Sequence, residues 1–124
     1  LPLAARAEIH AVEGEHDMIA ALDRGWREGK NLKRVTSEAR DLFRRPLEPD
    51  ELRKFDAAVI DPPRAGAEAQ IATLAASAIK TIAMVSCNPV TFARDAVTLQ
   101  NATCRGGRQF YADVIRAREI VAQL

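Results

Sequence analysis

The sequence of 124 residues, 48% hydrophobic and 28% charged with a formal net charge of +1, has the composition of a globular protein and enough chain for a sizeable core. No run reaches the roughly 20 apolar residues of a membrane span, no secretory leader pattern is present, and the two cysteines, Cys87 and Cys104, make neither a disulfide framework nor a metal site of recognisable spacing. The expectation is a cytoplasmic protein with no metal and no membrane association, organised as one domain over residues 1–124. The charge argues neither for nor against nucleic acid. Only Lys30, Lys33, Lys54 and Lys80 among the eighteen cations are lysines; the excess of arginine suits phosphate contacts or only reflects genomic composition, and carries little weight.

In chain order, Leu1 to Ala5 reads as the tail of a helix, and Ile9 to Val12 as a short strand ending in Glu13-Gly14. Asp17 to Trp26 places Met18, Ile19, Leu22 and Trp26 near one helical face, with Gly25 or Gly29 as the stop. Leu32 to Thr36 reads as a strand followed by a polar corner, Ser37 to Leu42. Pro46 and Pro49 mark a loop before a short helix around Asp50 to Lys54. Phe55 to Ile60 reads as a buried strand that stops at Asp61-Pro62-Pro63-Arg64. A helix from Ala67 to Ile79, a buried strand from Thr81 to Val85 and an amphipathic helix from Val90 to Leu99 follow. Arg108 to Leu124 suggests two more strands, Glu119 to Ala122 the clearer. Strands alternating with helices imply an α/β fold with a mostly parallel sheet.

Ligands of such a sheet bind outside the carboxyl ends of its strands. Four polar residues fall there: Glu13, Asp41, Asp61 and Cys87. A carboxylate such as Glu13 after the second strand of a nucleotide-binding sheet suits ribose hydroxyls, because it accepts from both; the bland alternative is a solvated loop charge. Asp61 precedes two prolines, which stiffen the turn and hold its carboxylate in place, or the turn is purely structural. Arg64 reads as a phosphate ligand or, more commonly, as half of a surface salt bridge. Arg94 and Asp95 read as solvated. Cys87 sits at a strand-to-helix corner, with Asn88 suited to the N-cap and Pro89 to the first helical position. A helix start stabilises a thiolate, which makes the cysteine a usable nucleophile. Its alternative is a small buried hydrophobe.

Asp61-Pro62-Pro63-Arg64-Ala65-Gly66-Ala67, together with Val85-Ser86-Cys87-Asn88-Pro89 and Phe92-Ala93-Arg94-Asp95, resembles the RNA uracil-5-methyltransferase family, which makes 5-methyluridine in tRNA or rRNA from S-adenosylmethionine. The resemblance implies a Rossmann-like methyltransferase sheet and extends over most of the chain, which looks like the last third of a full-length member. It matches Cys87 to the nucleophile, Asp61 to the acid that helps organise the uracil and cofactor pocket, Glu13 to the carboxylate on the cofactor ribose, and Asp41 to the position near the adenine. Glu119 falls at the general base, where the family has His-x-Glu and this chain has Ala117-Arg118-Glu119. The implied cofactor is S-adenosylmethionine and the implied partner is RNA.

The family's first strand, its glycine-rich loop and its RNA-binding module have no counterpart in this sequence. In that fold the first strand lies between those ending at Glu13 and Asp61, so these two strands either pair directly, leave a gap, or accept a strand from another molecule, as in a homodimer that completes the sheet. The expectation is a methyltransferase fragment with little activity alone. Two other readings stay open: an amino-methyltransferase that uses the Asp-Pro-Pro turn and needs no cysteine, and a non-catalytic RNA- or partner-binding module that keeps the fold.

Overall fold

The structure, a computed structural model, describes residues 2–106 and 109–113. It divides into two compact units, residues 1–45 and 46–124. In the first, a 3-10 turn (Pro2–Ala5) precedes β1 (Ile9–Glu13), α1 (His16–Glu28) and β2 (Val35–Ala39). Strands β1 and β2 pair in parallel, Ile9 beside Val35 and Glu13 beside Ala39. Helix α1 begins without a side-chain cap and ends at Gly29, whose N–H donates to the Trp26 carbonyl. A Cβ on Gly29 would run into the Leu32 side chain, so the chain turns back tightly here. The Trp26 indole then donates to the Lys33 carbonyl at 3.1 Å.

Strand β2 lies three residues later than the apolar run suggested, and the polar corner Ser37–Ala39 belongs to it. Its polar side chains are strand-compatible because each finds a partner in the unit. Thr36 bonds His10 Nδ1 at 2.8 Å, Ser37 donates to Asp23 of α1 at 2.9 Å, and Glu38 lies 3.5 Å from both His10 and Arg40.

The second unit contains α2 (Pro49–Leu52), β3 (Ala57–Ile60), α3 (Glu68–Ala76), β4 (Thr81–Val85), α4 (Pro89–Gly106) and β5 (Gln109–Asp113). Its sheet runs β3-β4-β5, all parallel. Helix α2 is short but held by a capping box, in which Glu48 and Glu51 each accept the other's backbone N–H. Ile82 and Met84 of β4 are buried with Ile71 and Leu74 of α3 and Leu99 of α4, and Ala58 and Ile60 of β3 pack against this cluster. The period of two along β3 leaves the opposite face outward: Val59 is 59% exposed, so this edge strand is buried on one side only. Strands β1 and β3 belong to different sheets. Glu119 lies outside the described residues, as does the second of the two C-terminal strands expected. No helix among the described residues is long and apolar enough to cross a membrane.

The buried side chains of the first unit are Ala4 and Val35, against seven large apolar side chains in the cluster of the second. Local opening costs least where little apolar surface is buried. In native-state hydrogen exchange the amides of β4 will be the slowest, and those of β1 and β2 will exchange before them.

Candidate active site

The residues expected at strand ends fall there, two in each unit. Glu13 closes β1, and its carbonyl accepts from the Arg40 N–H at 2.9 Å, which continues the pairing just past β2. One carboxylate oxygen of Glu13 accepts from the Glu15 N–H at 3.2 Å, in an exposed turn. A carboxylate has two oxygens and several lone pairs, so Glu13 keeps capacity for hydroxyl donors. Asp41 is more occupied. Its Oδ1 accepts from the Phe43 N–H at 2.9 Å, its Oδ2 lies 3.6 Å from Arg44 Nε, and its carbonyl accepts from the Arg45 N–H at 2.9 Å. It caps its own turn, an Asx-type arrangement.

Asp61 and Cys87 are brought to the same end of one sheet, because β3 and β4 are parallel neighbours with Ile60 beside Met84. Asp61 follows Ile60 directly and is exposed; Cys87 lies two residues beyond β4 and is exposed. The buried-hydrophobe reading of this cysteine is thereby excluded. The residues on either side of it are fixed. Ser86 is 0% exposed; its hydroxyl accepts from the Asn88 N–H at 3.2 Å and donates to the Asn88 carbonyl at 3.3 Å. Asn88 Oδ1 accepts from the Val90 N–H at 3.0 Å, which makes Asn88 the N-cap of α4 with Pro89 as the first helical residue, as the sequence implied.

The loop after Asp61 is tied to the same helix. The Gly66 N–H donates to the Pro63 carbonyl at 2.8 Å, closing a turn in which Gly66 has φ +84°, a conformation that glycine adopts without strain. The Arg64 carbonyl accepts from Asn88 Nδ2 at 2.8 Å and from Thr91 Oγ1 at 3.1 Å. Asp95 is 1% exposed, accepts from the Ala67 N–H at 2.9 Å and pairs with Arg94 Nη2 at 2.8 Å. Asp95 is therefore buried and paired, against the expectation that it is solvated. The signal was present: Asn88, Thr91 and Asp95 stand at i, i+3 and i+7, one polar face of a helix. The Arg64 side chain makes no ion pair among the described residues and is exposed, against the salt bridge expected for it.

Two small parallel sheets of β/α units, with a thiol and a carboxylate at adjoining strand ends of one of them, are consistent with an α/β fold of the methyltransferase type. The profile of the tRNA (Uracil-5-)-methyltransferase family matches residues 13–110, and the chain belongs to this family. It is 60% identical over 95 residues to an uncharacterized RNA methyltransferase of Mesorhizobium japonicum, covering 77% of this chain and 23% of the relative. It is 55% identical over 105 residues to one of Rhizobium meliloti, covering 85% and 25%. It is 38% identical over 105 residues to a 23S rRNA (uracil(1939)-C(5))-methyltransferase of Hahella chejuensis, covering 77% and 23%. The chain thus spans about a quarter of the length of these relatives. No solved structure matches it.

A Cβ on Gly66 would meet the Arg94 guanidinium and would lie 2.8 Å from Asp95 Oδ2. Gly66→Ala, at a positive φ, will therefore lower stability in urea by about 1–3 kcal/mol. Gly14, with nothing nearer than the Arg40 carbonyl at 3.9 Å, serves as the control, and Gly14→Ala will stay within about 0.5 kcal/mol of the parent.

Proposed function

We propose that the chain is part of a cytoplasmic RNA methyltransferase that transfers a methyl group from S-adenosylmethionine to carbon 5 of a uridine in tRNA or rRNA, through a covalent bond between Cys87 and carbon 6. The observation that carries this reading is an exposed Cys87 held between the buried Ser86 and the helix-capping Asn88, just beyond the strand beside the one that leads to Asp61. The family membership and the relatives named as RNA methyltransferases support it.

The reaction explains the residue types. Carbon 5 of uracil is a weak nucleophile. Addition of the Cys87 thiolate at carbon 6 pushes electron density onto the ring and makes carbon 5 reactive, splitting one difficult step into easier ones. S-adenosylmethionine, when bound, supplies an electrophilic methyl group on a sulfonium. Glu119 then takes the proton from carbon 5, and the electrons left behind expel the Cys87 thiolate from carbon 6, restoring the ring and the free enzyme. The base must leave its stack to meet the thiol, so the partner is an RNA with an extrudable uridine. Glu13, with carboxylate capacity to spare, is assigned to the cofactor ribose, Asp41 to the neighbourhood of the adenine, and Asp61 to the uracil and cofactor pocket.

The same reading includes little activity for the isolated chain, because its sequence contains no glycine-rich loop to cradle the methionine end of the cofactor. It also includes pairing of β3, an edge strand among the described residues, with a strand of a second copy, since a sheet edge offers a row of backbone donors and acceptors.

The test replaces the matching segment of the Mesorhizobium relative with residues 13–110 of this chain and measures 5-methyluridine in digested RNA. The chimera will form 5-methyluridine, and Cys87→Ala within it will lower the rate at least about 10³-fold. Product formation that survives Cys87→Ala would contradict the covalent mechanism and return the amino-methyltransferase reading. RNA binding without product in every form would favour the binding module.

A further inference from the structure

We propose that Asn88 and Asp95 are positioning residues that lock the Asp61 turn onto the helix beginning after Cys87, so that the carboxylate and the thiol are held at one separation. The inference rests on the functional reading only in treating Asp61 and Cys87 as parts of one site.

Two prolines stiffen the turn after Asp61 internally, but stiffness does not fix the turn relative to the neighbouring strand. That is done by helix α4. Side chains from its cap and first two turns meet the backbone of three residues in the loop: Asn88 and Thr91 donate to the Arg64 carbonyl, Arg94 Nη2 donates to the Ala65 carbonyl at 3.4 Å, and Asp95 accepts from the Ala67 N–H. Asn88 performs two tasks with one amide, because its oxygen caps the helix while its nitrogen holds the loop. A tilt of the helix start, which carries Cys87, is thereby passed to the loop that carries Asp61.

Asp95 makes the tie specific. A buried carboxylate is costly unless its oxygens are paired. Here Oδ1 takes both Arg94 Nε at 2.9 Å and Arg94 Nη2 at 2.8 Å, and Oδ2 takes the Ala67 N–H. A displaced loop would strip Oδ2 of its partner, so the arrangement favours one register of loop on helix. The positive φ of Gly66, with no room for a Cβ against Arg94 and Asp95, shows how closely the two backbones approach.

The experiment is a double-substitution cycle on the full 124-residue chain at low ionic strength. It reads the logarithm of the ratio of Cys87 alkylation rates by anionic iodoacetate and neutral iodoacetamide at one pH, with Cys87 and Cys104 resolved as separate peptides by mass spectrometry. Removing the Asp61 charge with Asp61→Asn will raise that logarithm by about 0.3 or more, about twofold in the ratio, because a carboxylate at the adjoining strand end repels the anionic reagent and not the neutral one. In an Asn88→Ser background, where the hydroxyl still caps the helix but is too short to replace the bond to Arg64, that difference will fall to less than half. Arg64, Glu68, Arg94 and Asp95 are common to both backgrounds. Should Asn88→Ser not fold, Thr91→Val removes one of the two donors on the Arg64 carbonyl and will give an intermediate difference. A merely structural role would lower the melting temperature and leave the difference intact. An equal difference in both backgrounds, or none in the parent chain, overturns the proposal. The measurement uses neither RNA nor S-adenosylmethionine, so its failure is separate from failure of the methylation test.

Discussion

The parallel pairing of β3 with β4 is the constraint from which the site follows. Ala58 beside Ile82 and Ile60 beside Met84 direct apolar side chains into the cluster formed with α3 and α4. Burial of one such large side chain contributes about 1.5–3 kcal/mol, whereas a typical net hydrogen bond contributes about 1 kcal/mol. The core therefore decides that Asp61 and Cys87 emerge at adjoining strand ends. The polar contacts on the loop above it are too weak individually to set the fold. They set the fine placement, and the thiol is left exposed.

How much of this was legible in the sequence depends on where the information lies. β4 was readable to the residue because Thr81 to Val85 is a run of apolar and β-branched residues, and the start of α4 was readable because Asn88-Pro89 is a local cap signal. β2 was misplaced by three residues because Ser37 and Glu38 are polar, and what makes them acceptable in a strand is Asp23, His10 and Arg40, residues distant in sequence or beyond the strand. The outward face of β3 was missed for a similar reason: an apolar run does not reveal that its strand lies at a sheet edge. Among the candidate site residues, the strand-end positions of Glu13, Asp41, Asp61 and Cys87 were readable from the alternation of strands and helices. Asp95 was not, because its role comes from an N–H twenty-eight positions earlier in the chain.

The division of labour along the chain has a physical logic. Glu13 and Asp41 stand at the ends of two short strands whose polar side chains satisfy one another, in a unit with few buried residues. Asp61 and Cys87 stand over the larger core. Covalent chemistry at a base tolerates little misplacement of the attacking atom, and the larger core lies under Cys87, the residue proposed as nucleophile.

The central claim is that Cys87 is the atom donor of a covalent bond to uracil. Intact-mass spectrometry after incubation of the residue 13–110 chimera with S-adenosylmethionine and RNA containing 5-fluorouracil tests it most directly, because fluorine cannot leave as a proton and the adduct is trapped. The account predicts a protein–RNA adduct, mapped to Cys87 after digestion. An adduct at another residue, or none from a chimera that methylates ordinary RNA, would contradict it.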